Sequence, residues 1–349
     1  MKKVALLFGP YNKTAVIIAL ALGMAFWSGC KDEDEPAQQP DEQPQVQTDV
    51  PPFNADSAYF YIERQVAFGP RVPGTESHQK TVEWMAAKLA EYAGAANVQV
   101  QEAPAEIYDG TKITIKNVIA SFHPERKLRI LLCAHYDTRK VADHDTEQRD
   151  VPIAGANDGG SGVGVLLEIA RQLRADPLQN LGVDIVLFDA EDQGIPDNMG
   201  FDKGRDSYLT WALGSQYWSK NRHNPAQNFQ YGILLDMVGA EDAVFPQEGY
   251  SVAYAGHVVK KVWNQAYQLG HGNYFLNRVG PELIDDHLFV NEYAGIPTID
   301  IIHYNTNTNS FGEFWHTHDD DMDVISRKTL HAVGETVLTV LYKEDVGAI

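Results

Sequence analysis

Residues 183–194 read VDIVLFDAEDQG, a β-branched apolar run that ends on two adjacent carboxylates, Glu191 and Asp192. A short continuous apolar run bounded by polar residues has the form of a strand buried on both faces, as in a parallel sheet. Runs at 111–122, 128–134, 231–236 and 297–302 share that form. Between and around them lie helical patterns at 77–92, 161–173, 209–220, 257–269 and 326–341. This alternation predicts an α/β three-layer sandwich, a central twisted and mostly parallel sheet flanked by helices. Ligands of such sheets gather at the carboxyl ends of the strands.

The acids and histidines of this chain fall at those ends. His135 and Asp137 follow LRILLCA, Asp158 lies in GANDGGSG ahead of a helix, and Glu191 and Asp192 close LFDAED. Asp236 ends YGILLD, and two later elements add Asp285 and Asp286 in IDDH, then Trp315 and His316 in FWHTHDDD. Each has an ordinary structural reading: an acid before a helix can serve only as its N-cap, as Asp158 would, and a lone histidine is usually a satisfied polar residue. As a set, histidine with hard carboxylates on one rim is the ligand mixture of zinc. A zinc that keeps one position open needs three protein ligands, for which Asp158, Asp192 and His316 suffice. Glu191 is then free to move protons, because neighbours at a strand terminus need not point the same way once the pleat ends.

The rest of the chain limits the context. With 349 residues, 44% of them hydrophobic, it can bury a sizeable core. The net charge of −20 makes nucleic acid an improbable partner. Residues 1–29 carry Lys2 and Lys3, an apolar run at 15–27, and Ser28-Gly29 before Cys30. That is a secretory signal, too short and wrongly flanked for a membrane span. Small residues before a cysteine resemble the lipobox of bacterial lipoproteins, which implies cleavage before Cys30 and a lipid anchor on it. Trp27 departs from the usual lipobox, and the alternative is an ordinary signal peptide with a chance cysteine. Residues 30–52, rich in Pro, Gln and acid without an apolar period, read as a disordered tether. Their acidic start resembles the surface-export signal of Bacteroidetes lipoproteins, implying a periplasmic, outer-membrane or cell-surface location. Residues 53–349 then form a single catalytic domain with no internal repeat, a monomer by default. Cys133 has no partner for an intrachain disulfide if Cys30 is acylated, and reads as a small buried hydrophobe.

The strings HYD, GANDGGSGVGVLLEIAR, LFDAED, LLDMVGA, IDDHLF, GIPTIDII and FWHTHDD occur in the order found in the zinc-dependent aminopeptidase clan. Within the clan they resemble most the glutaminyl cyclases of animals and Bacteroidetes, over roughly residues 53–342. By that resemblance a two-zinc aminopeptidase would use His135, Asp158, Asp192, Asp236 and His316, all present, with His135 and Asp236 serving the second metal. A cyclase would hold one zinc on Asp158, Asp192 and His316. The ligand list alone separates neither activity.

Softer features favour the cyclase. IDDH resembles the cyclase pattern in which Asp285 joins a carboxylate network with Glu191 and Asp236. Trp315, directly before the metal histidine, and Phe311 would wall the substrate pocket. Trp211 is a further candidate for that wall, although a core position on the helix at 209–220 is at least as plain a reading. Two departures stand out: Asp300 occupies the place of a histidine in animal cyclases, and the segment 193–215 is longer. The resemblance thus implies conversion of N-terminal glutamine of peptides and proteins to pyroglutamate with loss of ammonia. His144, His287, His303 and His318 read as surface or supporting residues, and GPRVPGTESHQ, residues 69–79, as a structural turn.

Overall fold

The computed structural model describes residues 48–196, 199 and 207–349. The signal, Cys30 and most of the tether therefore lie outside the described residues. Two helices open the fold, α1 (Ala55–Val66) and α2 (Glu76–Ala93), followed by β1 (Val98–Glu106), β2 (Lys112–Phe122) and β3 (Arg129–His135). After α3 (Gly160–Ala175) come β4 (Gly182–Phe188), α4 (Leu213–Lys220), β5 (Phe229–Asp236), β6 (Phe245–Gln247), α5 (Gly249–Gln268) and β7 (Phe275–Val279). The short α6 (Asp286–Phe289), β8 (Thr298–Ile302) and α7 (Arg327–Asp345) complete it.

Six strands form one sheet in the order β1-β2-β4-β3-β5-β8, and β6 and β7 pair separately. The three pairings β4/β3, β3/β5 and β5/β8 are parallel, whereas β1/β2 and β2/β4 are antiparallel. The expected sandwich is present, with an antiparallel edge. Alternate strand residues serve two cores. Ile130, Leu132, Ile185, Leu187, Ile233 and Leu235 pack with residues of α1, α2, α3, α5 and α7. Leu131, Cys133, Val186, Phe188 and Leu234 meet Trp218 of α4 and Val290 from the opposite face. Burial on both faces is why these strands read as continuous apolar runs. Cys133 is free and buried, as its sequence context implied.

Several elements differ from the periodicity, among them α1, β6, β7 and α6, for which no pattern is read. β1, mostly exposed with only Ala103 buried and carrying Pro104, is an edge strand and lacks the continuous apolar run that marks the inner strands. α5 begins at Gly249 rather than 257, because the Glu248 side chain caps it and a kink at Ala255 breaks its apolar period. The helix expected from 209 starts at Leu213: Ser207–Thr210 is a 3₁₀ turn and Ala212 is left-handed, φ 54°. Trp211 is thereby released from the helix.

From β3 the chain steps through α3 to β4 on one side, then crosses through α4 to β5 on the other. Strand order reverses between β3 and β5, and ligands bind at the carboxyl ends of strands at such a switch point. His135 ends β3 there and Asp236 ends β5. Among the described residues no helix is long and apolar enough to cross a membrane.

Candidate metal centre and pocket

The loop from β3 to α3 delivers Asp158 to this rim. Its helix cap is Gly159, with no side-chain cap bond, so Asp158 is not spent on the helix. Gly159 has φ 80°, and a Cβ there would stand 2.7 Å from the Asp137 carbonyl oxygen, so glycine is required. Asp320 of the FWHTHDDD element fixes Asp158 from behind, accepting the backbone N–H of Asn157 at 2.7 Å and of Asp158 at 3.0 Å. Arg71, in the turn at 69–79, donates to the carbonyls of Ala154 and Gly155 in the same loop.

A left-handed Ala190, φ 54°, leads from β4 into the two acids. Asp137 holds their backbones: it accepts the N–H of Glu191 at 2.9 Å and of Asp192 at 3.2 Å. Met237, φ 47°, follows Asp236, and His316 itself has φ 57°. Three left-handed residues other than glycine within one site are backbone strain of the kind that clusters where geometry serves function.

Asp158, Asp192 and His316, all buried, present ligand atoms within 4.8 Å of one another. His316 Nε2 lies 3.2 Å from Asp192 Oδ1 and 3.7 Å from Asp158 Oδ2. Asp192 Oδ2 is buried without a hydrogen-bond partner. A buried orphan carboxylate oxygen beside an imidazole and a second carboxylate is a donor set that fits zinc. His135, Asp158 and Asp236 form a second such group, His135 Nε2 standing 3.1 Å from Asp158 and 3.1 Å from Asp236. Asp158 is shared, so the residues of one-metal and two-metal arrangements are both assembled.

Behind them sits a carboxylate cluster. Glu191, Asp285, Asp286 and Asp300 are all buried. Burial first, and then Asp285 and Asp192 against the opposing pull of His135, raises the Glu191 carboxyl well above the usual range. Burial likewise raises Asp236 to about 7, with Asp285 and Asp158 adding to it against His135. Asp286 and Asp300 are also pushed well up, by burial and then by Asp285.

A cavity of about 280 Å³ opens onto this rim, lined by Glu191, Asp285, Trp211, Phe311, Trp315, Leu283 and Ile284 among others. That is the small end of ligand pockets. Trp315 lies against His316, ring centroids 3.9 Å apart, and Phe311 against Trp315 at 4.7 Å. Trp211 belongs to the wall and not the core, parallel to His316 at 6.2 Å. A Cβ on Gly194 would stand 2.0 Å from the Trp211 ring, which fixes glycine under it.

Arg139 and Asp143 were not singled out from sequence. Arg139, buried, donates to the Asp192 and Gly194 carbonyls, pairs with Asp143 through Nε and Nη2 at 2.6 and 2.8 Å, and lies 4.7 Å from the Trp211 ring centroid. Asp143 Oδ1 stands 3.2 Å from His316 Nδ1, an ionic contact off the line of a good hydrogen bond. Glu248 was missed as well. It accepts from Leu283 N, Ser251 N and His287 Nε2, tying α5 to the loop that carries Leu283 and Asp285. The spacing R-x-x-x-D of Arg139 and Asp143 was a legible signal; Glu248 had none. His287, wholly buried between Glu248 and Asp300, is a supporting residue. His303 is buried, His144 packs on Trp315, and His318 pairs with Asp145.

A mixed sheet with histidine and carboxylate donors converging at its switch point defines a zinc-exopeptidase-like α/β enzyme fold. The chain belongs to peptidase family M28, whose model matches residues 117–341. Among solved structures it is similar to Bacteroides thetaiotaomicron glutaminyl cyclase bound to N-acetylhistamine, at 49% identity and TM-score 0.80, over 84% of this chain and 99% of that one. It is also similar to Tannerella forsythia glutaminyl cyclase, at 51% identity and TM-score 0.79 with the same coverage. Bacillus subtilis aminopeptidase YwaD is 26% identical over 72% of this chain, which spans about half (49%) of that relative's length.

Proposed function

We propose that this protein is a zinc-dependent glutaminyl-peptide cyclotransferase, converting N-terminal glutamine of peptides and proteins to pyroglutamate with release of ammonia. The observation that carries the reading is the pocket. A small cavity, walled by Trp211, Phe311 and Trp315, ends on Glu191 and Asp285. The similarity to solved bacterial glutaminyl cyclases supports it.

Asp158, Asp192 and His316 would hold the zinc, which supplies Lewis acidity for polarising the γ-carbonyl of the substrate glutamine. Glu191 takes a proton from the α-amine as it attacks the γ-carbon, and passes it to the departing nitrogen. Its raised affinity for a proton suits both halves of that transfer. Asp285 and Asp236, in the same buried cluster, orient Glu191. Since the nucleophile is part of the substrate, the enzyme gains by folding glutamine into a ring-closing geometry, and no water is consumed. The aromatic wall provides that shape and keeps water away.

A two-zinc aminopeptidase is the second reading, favoured by the intact His135, Asp158 and Asp236 group. Mass spectrometry of a glutamine-initiated and a leucine-initiated peptide decides between them. Loss of ammonia from the first alone supports cyclisation, whereas release of a whole N-terminal residue from either overturns it.

Export and anchoring belong to the same reading. The signal at 1–29 and the acid-rich tether at 30–52 support a lipoprotein acylated on Cys30, facing the periplasm or cell surface, where exported chains with N-terminal glutamine would be met. Metabolic labelling with a radioactive fatty acid should mark the wild type and not Cys30→Ser. Label retained by the variant would refute the anchor. The catalytic unit from residue 53 acts as a monomer in this reading, which sedimentation would test.

A further inference from the structure

We propose a separate transition-metal site, sharing no residue with the pocket lining, on His271, His331 and Glu335, taking Zn²⁺ or a similar borderline divalent ion. Their ligand atoms lie within 4.8 Å of one another. His331 and Glu335 are four residues apart on α7, which places them on one helix face. His271 comes from the turn after α5, and its nitrogen aims at the same oxygen: Nε2 is 2.6 Å from Glu335 Oε2, while His331 Nε2 is 3.5 Å from that atom. The two imidazole rings stand at 89° with centroids 5.9 Å apart, so they converge on the carboxylate without stacking.

The backbone behind His271 is fixed. Its N–H donates to the Ala266 carbonyl at 2.8 Å, and its own carbonyl accepts from Tyr274 and Phe275. Two elements thus present two nitrogens and one carboxylate oxygen to a common point, the donor set that suits zinc in a three-ligand site. Side-chain exposures of 14%, 44% and 32% for His271, His331 and Glu335 leave room for water in the remaining position. In the metal-free protein His271 Nε2 hydrogen-bonds Glu335 Oε2, and His331 Nε2 stands 3.5 Å from the same oxygen. The ion would clip the C-terminal helix to the end of α5, a structural role with no part in the reaction at the pocket.

The test uses the purified protein with its pocket already zinc-loaded, followed by calorimetric titration with Zn²⁺ and elemental analysis. Wild type should take up one equivalent more than either His271→Ala or Glu335→Gln, with unchanged activity in all three. Added Zn²⁺ should raise the melting temperature of wild type and leave the variants where they were. His331→Ala, on an accessible helix face, provides a check should His271→Ala fold poorly. Because the comparison is a difference between wild type and variant, one or two zincs in the pocket give the same answer. Equal zinc content in wild type and variants, or an equal thermal shift, would overturn the site.

Discussion

Replacing Glu191 by Gln tests the proton-transfer reading most directly. Glutamine has the same shape, and the Asp137 carboxylate still receives the backbone N–H at this position, so the pocket and Asp192 should stay in place. What disappears is the group that can accept and return a proton. General acid–base catalysis contributes about 10² to 10⁴ in rate, roughly 2.7 to 5.4 kcal/mol of barrier. The loss should fall on kcat, with KM within about threefold, since the aromatic wall is untouched. Stability should move the other way. The Glu191 carboxyl is raised in the folded state, chiefly by burial. For an acid so raised, the folded chain binds more protons than the unfolded one above the unfolded value. Its contribution to stability therefore falls as pH rises from the ordinary glutamate range toward the raised one. A neutral amide removes that decline, so the metal-stripped variant should melt higher than the metal-stripped wild type at neutral pH. The assay is ammonia release from a glutamine-initiated peptide, beside zinc content by elemental analysis. Activity within threefold of wild type at full zinc loading would refute the role of Glu191.

Other outcomes follow from the supporting residues. Asp143→Asn leaves His316 Nδ1 without its charged neighbour and should weaken zinc binding by about 10- to 100-fold, read by competition with a chelator. Unchanged affinity would show that Asp143 only pairs with Arg139. Glu248→Gln loses the charge that gathers Leu283, Ser251 and His287, so the loop carrying Asp285 should loosen, raising KM more than kcat falls while zinc content stays constant. An unaltered KM would dismiss it as a positioning residue. His303 is held neutral, its pKa lowered to about 4 by burial. The unfolded chain therefore binds more protons between that value and about 6.5, and stability should drop as pH falls through this window by about 3 kcal/mol at most. Urea melts of wild type and His303→Gln from pH 7 to 4 would check it: equal slopes in both would remove His303 as the cause.

The sequence by itself determined the layered α/β architecture. Strands buried on both faces are apolar nearly throughout, and in Val183–Phe188 the one charge, Asp184, is buried against Arg129. It also picked out the acids and histidines of the candidate metal centre, which stand at strand ends and which the structure gathers on one rim. Only the tertiary structure decided where Trp211 points. Helical periodicity runs through it, and the break comes from a left-handed Ala212 that no local pattern announces. The same holds for Glu248 and Asp143. Their partners, Leu283, His287 and His316, lie far along the chain, so no spacing encodes the contacts. The raised proton affinity of Glu191, Asp236, Asp286 and Asp300 is likewise a property of burial. Each is an ordinary acid in the chain, and only packing removes the water that would let all of them ionise.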